Sequence, residues 1–205
     1  MRHHFSFFAL LCLAPFSSAG SLQTPLNPPE SFQAPQLQVN NMPSLADLLT
    51  IESSASIFYS YARELSLSEL FSQPAGLTED NGKGGLTLLV PTNKAVMAME
   101  RKPHQGPPPK DNEDISISEE EFFRNSKDNV LRWVQAHVIP TSPLTFPLPS
   151  TTYDTLLDGK SVTFSSGNVD EEDWKKVTVE GTHILDMKQA SNGVMYIIDG
   201  TINTY

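Results

Sequence analysis

Cysteine is almost absent: Cys12 stands alone in 205 residues. A lone thiol closes no intrachain disulfide and builds no cysteine-ligated metal site. The sequence Asn-x-Ser/Thr appears nowhere, so no N-glycan is expected. Cations are scarce, with 14 Lys and Arg against 24 Asp and Glu and a formal net charge of −10. An acidic surface repels a phosphate backbone, and no basic–aromatic pattern offsets it, so nucleic acid is not an expected partner. No apolar run approaches the roughly 20 residues that span a bilayer, and no apolar tail precedes Tyr205. Neither a transmembrane segment nor a GPI anchor is expected.

Catalytic signatures are missing too. There is no Gly-x-Ser-x-Gly elbow, no His-Glu-x-x-His and no phosphate-cradling glycine loop. A Ser-His-Asp triad assembles in space rather than in sequence, and nothing in the residue order singles one out. The acidic runs Glu119-Glu120-Glu121 and Asp170-Glu171-Glu172-Asp173 lack the alternating oxygens and turn glycine of a calcium loop, and read as solvated charge. The sequence therefore names no catalytic residue, no metal ligand and no cofactor, and the chain is not expected to be an enzyme.

What is present begins with a leader. Arg2, His3 and His4 precede an apolar stretch over 5–13, and Ser17, Ser18 and Ala19 supply small residues before a cleavage point. This pattern predicts a signal peptide over 1–19, whose removal takes Cys12 with it. Residues 20–43 form a Pro-rich linker, with Pro25, Pro28, Pro29, Pro35 and Pro43 among polar residues.

Periodicity starts at Ser44, which with Asp47 resembles a capping box ahead of Leu45, Leu48 and Leu49. Ile57, Phe58, Tyr61 and Leu65 continue at helical spacing. A buried strand over 86–90 stops at Pro91, and Thr92 and Asn93 are N-cap residues for a short helix. Residues 101–114, with Pro103, Gly106 and Pro107-Pro108-Pro109, read as a mobile surface insertion. Ser118 and Glu121 open the clearest helix, whose face carries Phe123, Val130, Val134 and Val138. From Thr151 the period becomes two, with turns at Asp158-Gly159, Glu180-Gly181 and Asn192-Gly193. Helices first and strands afterwards predict an α+β fold.

Four sites carry polar residues with structural explanations. Pro91-Thr92-Asn93 ends a strand and caps a helix. Asn192-Gly193 suits a tight turn with positive φ. Asp199 is placed to accept backbone N–H groups after the last strand. His137 closes the central helix, where a protonated imidazole suits the dipole; a tie to the strand region near Asn93 or Asp199 is expected.

Three segments in order resemble the fasciclin-like (fasciclin I type) domain. The first is Thr87-Leu88-Leu89-Val90-Pro91-Thr92-Asn93-Lys94-Ala95-Val96. The second is Val130-Leu131-Arg132-Trp133-Val134-Gln135-Ala136-His137-Val138-Ile139-Pro140. The third is Asn192-Gly193-Val194-Met195-Tyr196-Ile197-Ile198-Asp199-Gly200-Thr201-Ile202. The resemblance covers 44–202 and is to small single-domain fungal members. It implies a wedge-shaped β-sandwich with helices packed along one side. It also implies a non-catalytic adhesion module whose partners are cell-surface, wall or matrix components, protein or polysaccharide. Pro91, Thr92, Asn93, His137, Asn192, Gly193 and Asp199 are then family-motif residues, mainly structural.

The chain departs from the family at Val96, where an aromatic is usual, in the insertion, and at Ala136, where the family has Tyr beside His. The resemblance links that Tyr-His pair to integrin-type adhesion, and Ala136 lacks the ring and hydroxyl. Leu185-Asp186-Met187 faintly resembles an Asp-Ile-type adhesion peptide of some animal members. With the leader, the resemblance implies the secretory pathway, either extracellular and cell wall or vacuole lumen. A luminal enzyme or chaperone-like factor working near His137, and a small-molecule carrier, remain the alternative readings.

N-terminal sequencing of the protein recovered from expressing cells is expected to start within about three residues of Gly20. An intact Met1 on a membrane-bound product contradicts the leader.

Overall fold

Every described helix longer than three residues starts on a cap or a preceding turn that the local sequence supplies. The computed structural model describes residues 42–74, 84–108, 118–146, 150–166 and 174–204. The expected leader, the linker up to residue 41, the rear of the insertion and the acidic run 170–173 lie outside these. Helix α1 (Leu45–Ile51) begins at Ser44, whose hydroxyl accepts from the Asp47 N–H while the Asp47 carboxylate accepts the Ser44 N–H at 2.9 Å. Asp is long enough to close this box. Then follow α2 (Ser56–Ala62), β1 (Leu86–Pro91), α3 (Asn93–Ala98), α4 (Glu119–Ala136), β2 (Val138–Ile139), β3 (Ser150–Asp154), β4 (Ser161–Ser166), β5 (Val177–Val179), β6 (Thr182–Ala190) and β7 (Gly193–Ile198). The class is α+β.

The strands hydrogen-bond in the order β2-β1-β7-β6-β5-β4-β3. All pairs are antiparallel except one: β1 runs parallel to β7, from Leu86 opposite Gly193 to Pro91 opposite Ile198. Every residue of β1 is buried, which is why the strand reads as an apolar run rather than an alternation. Pro91 does not stop this strand. It is the last paired residue, and the Thr92 N–H still donates to the Ile198 carbonyl at 3.1 Å.

The two faces of β1 and β7 feed separate apolar clusters. Leu88, Val90, Met195 and Ile197 pack against Leu45, Leu49, Phe58, Trp133 and Val134 from the helices. Leu89, Tyr196 and Ile198 pack with Val162, Phe164, Val179 and Ile202. Strands β4 and β5 therefore cover the face that the helices leave open. Strand β6 makes the connection, with Thr182 and His183 paired to β5 and 184–190 to β7. The described strands form one continuous, curled order, not two sheets separated by hydrogen bonding.

The expectation of a loop free of the domain does not hold for the first half of the insertion. Pro103 and Gly106 are buried. The Lys102 ammonium donates to the carbonyls of Val96, Met97 and Met99 at 3.2, 2.8 and 3.0 Å, gathering three acceptors at the end of α3, of which Val96 also accepts the Met99 N–H. Gly106, at φ 64°, abuts Asn129 of α4. A single cation that completes a helix end gives this segment a reason to pack that its composition did not show.

A Cβ on Gly193 would overlap the Leu86 carbonyl oxygen across the parallel ladder. Gly193→Ala is expected to cost roughly 3 kcal/mol in urea unfolding, because backbone must move at the centre of the sheet. Gly181→Ala, at φ 81° with open space around it, is expected to cost only about 1 kcal/mol.

Candidate functional site

The central motif delivers one side chain with acid–base chemistry, and the fold buries it completely. His137 caps α4 at 0% exposure. The Ile202 N–H donates to its Nε2 at 3.0 Å. That nitrogen must therefore carry the lone pair, so Nδ1 holds the proton and donates to the Trp133 carbonyl at 2.7 Å. The ring lies 4.7 Å from the Trp133 ring and 5.8 Å from Phe58, centroid to centroid. Burial pushes the imidazole pKa down to about 4, against a smaller upward effect from the Trp133 carbonyl. The tie runs to the strand region near Asp199, through the backbone of Ile202 three residues further on and not through the Asp199 side chain. One expectation is corrected: the ring is neutral rather than a protonated partner of the dipole. A second proton would bury an ion and turn the Ile202 N–H away from its acceptor.

The other motif residues serve different elements. Thr92 is the N-cap of α3, its hydroxyl accepting from the Ala95 N–H at 3.2 Å. Asn93 is not a cap. Its Oδ1 accepts from the Ile57 N–H at 2.8 Å and its Nδ2 donates to the Ser53 carbonyl at 3.0 Å, which pins the start of α2 to the start of α3. Asn192, 3% exposed, accepts from the Leu45 N–H at 2.9 Å and donates to the carbonyls of Phe71 and Gln73 at 2.8 and 2.9 Å. Its own carbonyl accepts from the Leu86 N–H at 3.0 Å. Gly193 does not occupy positive φ; close approach to Leu86 is what requires glycine there. Positive φ falls instead at Glu180 (49°) and Gly181 (81°), between β5 and β6. Asp199 accepts from the His183 N–H at 2.7 Å and lies 3.0 Å from His183 Nδ1, on the surface. These residues anchor separate junctions and mostly bind backbone.

Surface features come from elsewhere in the chain. An open cleft of about 520 Å³ is lined by Ser165, Ser166, Lys175, Lys176, Thr178 and His183. A bulge between Ile184 and Asp186 pushes Leu185 outward to 55% exposure. Beside it Lys188 bridges Glu52, whose carboxyl it holds below the usual range, and lies 3.8 Å from Asp186. No sequence signal pairs Glu52 with Lys188, because 136 residues separate them. Among the described residues no group of three His, Cys, Asp or Glu could hold a metal ion. No described helix is long and apolar enough to cross a membrane.

The His137 geometry fixes the sign of a pH effect. The unfolded imidazole binds a proton near its ordinary pKa of 6.5, whereas the folded one resists until about pH 4. Its contribution is complete above pH 6.5 and is lost as pH falls from there to about 4. Wild type is expected to lose about 3 kcal/mol over that window beyond what His137→Gln loses, measured by denaturant unfolding at a series of pH values. Parallel pH profiles contradict the assignment.

A model of the Fasciclin domain matches residues 53–204, from the turn ahead of α2 to beyond β7. The FAS1 domain-containing protein mug57 of Schizosaccharomyces pombe is 29% identical over 124 residues, which are 58% of this chain and 59% of that protein. A FAS1 domain-containing protein of Aspergillus fumigatus is 30% identical over 105 residues, 49% of this chain and 41% of that one. The chain thus spans about half the length of these relatives. A solved FAS1 domain pair from the insect cell adhesion molecule Fasciclin I is similar at 17% identity and a TM-score of 0.41, over 74% of this chain and 45% of that one. With the family model covering most of its length, the chain belongs to the fasciclin domain family, a family of cell-adhesion-type modules.

Proposed function

We propose that this chain is a non-catalytic adhesion module of the secretory pathway that binds matrix, cell-wall or cell-surface components, protein or polysaccharide. It acts outside the cell, in the wall, or in the vacuole lumen. The observation that carries this reading is the state of His137. The one imidazole in the central motif is neutral, has both ring nitrogens occupied by backbone, and touches no solvent. The motif thus holds the fold together, and binding falls to the surface. In the same reading the domain extends over 44–202, behind a leader and a linker. The cover of β1 and β7 by β4 and β5 supports the two-layered wedge of the family.

The test sets retention against stability. Purified chain is expected to be retained on insoluble wall polysaccharide, matrix protein or intact cells, and to turn over no generic hydrolase substrate. His137→Ala leaves buried groups without partners, at a cost of about 1–3 kcal/mol, and is expected to lower the unfolding midpoint while retention persists at temperatures where the variant stays folded. A variant that melts like wild type but loses retention, or a turnover that His137→Ala abolishes, overturns the reading. Imaging of a tagged chain separates the wall from the vacuole.

A further inference from the structure

Helix α4 is longer than the domain it packs on. Its 18 residues bury side chains only from Val130 onward, at Val130, Trp133, Val134 and Ala136. From 118 to 129 every residue is exposed or half-exposed. At about 100° per residue, Phe122 and Phe123 straddle the line that runs down through Ser126, Val130 and Trp133. The face that enters the core is therefore the face that carries the two phenylalanines, with Glu119 at its outer end, and beyond the core no described residue buries it. Phe122 is 53% and Phe123 63% exposed, and their rings meet edge to face at 6.0 Å.

The charges around this pair say what covers it. Glu120 and Lys127 are seven residues apart, so two helical turns place them on the same flank of the phenylalanine stripe. They stand about 10 Å apart along the axis, too far to bond each other, and neither has an ion-pair partner among the described residues. The other flank carries uncharged Asn125 and Asn129. A two-fold axis perpendicular to two antiparallel helices brings each flank beside the same flank of the other copy. Placed midway between Glu120 and Lys127, it sets each Glu120 against the other copy's lysine at 127. That point is also the midpoint of 118–129, so each helix would end where the other's core begins. A parallel pair would set the charged flank against the asparagines.

We propose that a second copy of this chain docks there, antiparallel along the first half of α4, as an isologous dimer with the Phe122 and Phe123 rings at its centre and two Glu120–Lys127 ion pairs at its edge. The overhang is only about 18 Å of helix, below a standard interface, so the dimer is weak. The proposal is independent of which ligand the adhesion surface takes.

Sedimentation velocity of the whole purified chain, from low micromolar to near millimolar, tests it. Wild type is expected to shift from monomer to dimer. Phe122→Ser/Phe123→Ser is expected to raise the dissociation constant at least roughly tenfold with an unchanged thermal midpoint, since neither ring supports the core. Lys127→Glu alone and Glu120→Lys alone each place like charges together and are expected to stay monomeric. An equimolar mixture of these two single variants is expected to dimerise, because every cross-pair is then complementary. The combined variant Glu120→Lys/Lys127→Glu is expected to return to within about threefold of wild type. A chain that stays monomeric throughout overturns the proposal. So does a mixture that stays monomeric, or a phenylalanine variant that dimerises like wild type.

Discussion

The parallel pairing of β1 with β7 closes the chain on itself, and most other contacts hang from it. Leu86 pairs with Gly193, with the other described strands and helices α3 and α4 lying between them in the chain. Parallel strands cannot be joined by a hairpin, so the register must be set by something other than a turn. Asn192 sets it. One buried amide side chain and its backbone carbonyl tie together the start of α1, the turn after α2, and the first residue of β1. Gly193 follows because a larger residue would push the two strands apart. The helices then lie on one face of this pair and β4 and β5 on the other, which separates the two apolar clusters.

His137 closes the same structure at its other end. Its two ring nitrogens connect the last turn of α4 to the segment leaving β7, through a tautomer that only the neutral ring can hold. A buried imidazole used in this way is poorly suited to exchanging protons with a substrate, since it binds a proton only near pH 4. Ala136 beside it is fully buried, so a larger aromatic at that position would need room that this core does not have. Val96 is likewise buried against the helix cluster. The departures from the family pattern are thus matched by local packing.

In the proposed reading, binding depends on what remains outside. The bulge at Leu185, the bridge between Glu52 and Lys188, the cleft by His183 and the overhanging half of α4 all use residues outside the three family motifs. A module of this kind can keep its internal ties while its surface changes.

The sequence by itself determined the local elements, because their causes are local. Ser44 and Ser118 cap helices, the alternation after Thr151 makes strands, and the mainly apolar run at β1 marks a strand buried on both sides. Family membership was legible for the same reason, in three short motifs. Only the tertiary structure decided what those motif residues do. The Ile202 partner of His137, the reach of Asn93 to α2, the absence of positive φ at Gly193, and the packing of Lys102 under α3 all join groups that short-range periodicity does not relate. A side chain's partner is set by where the backbone brings another polar group into an interior that water cannot reach, and that position is a property of the whole chain.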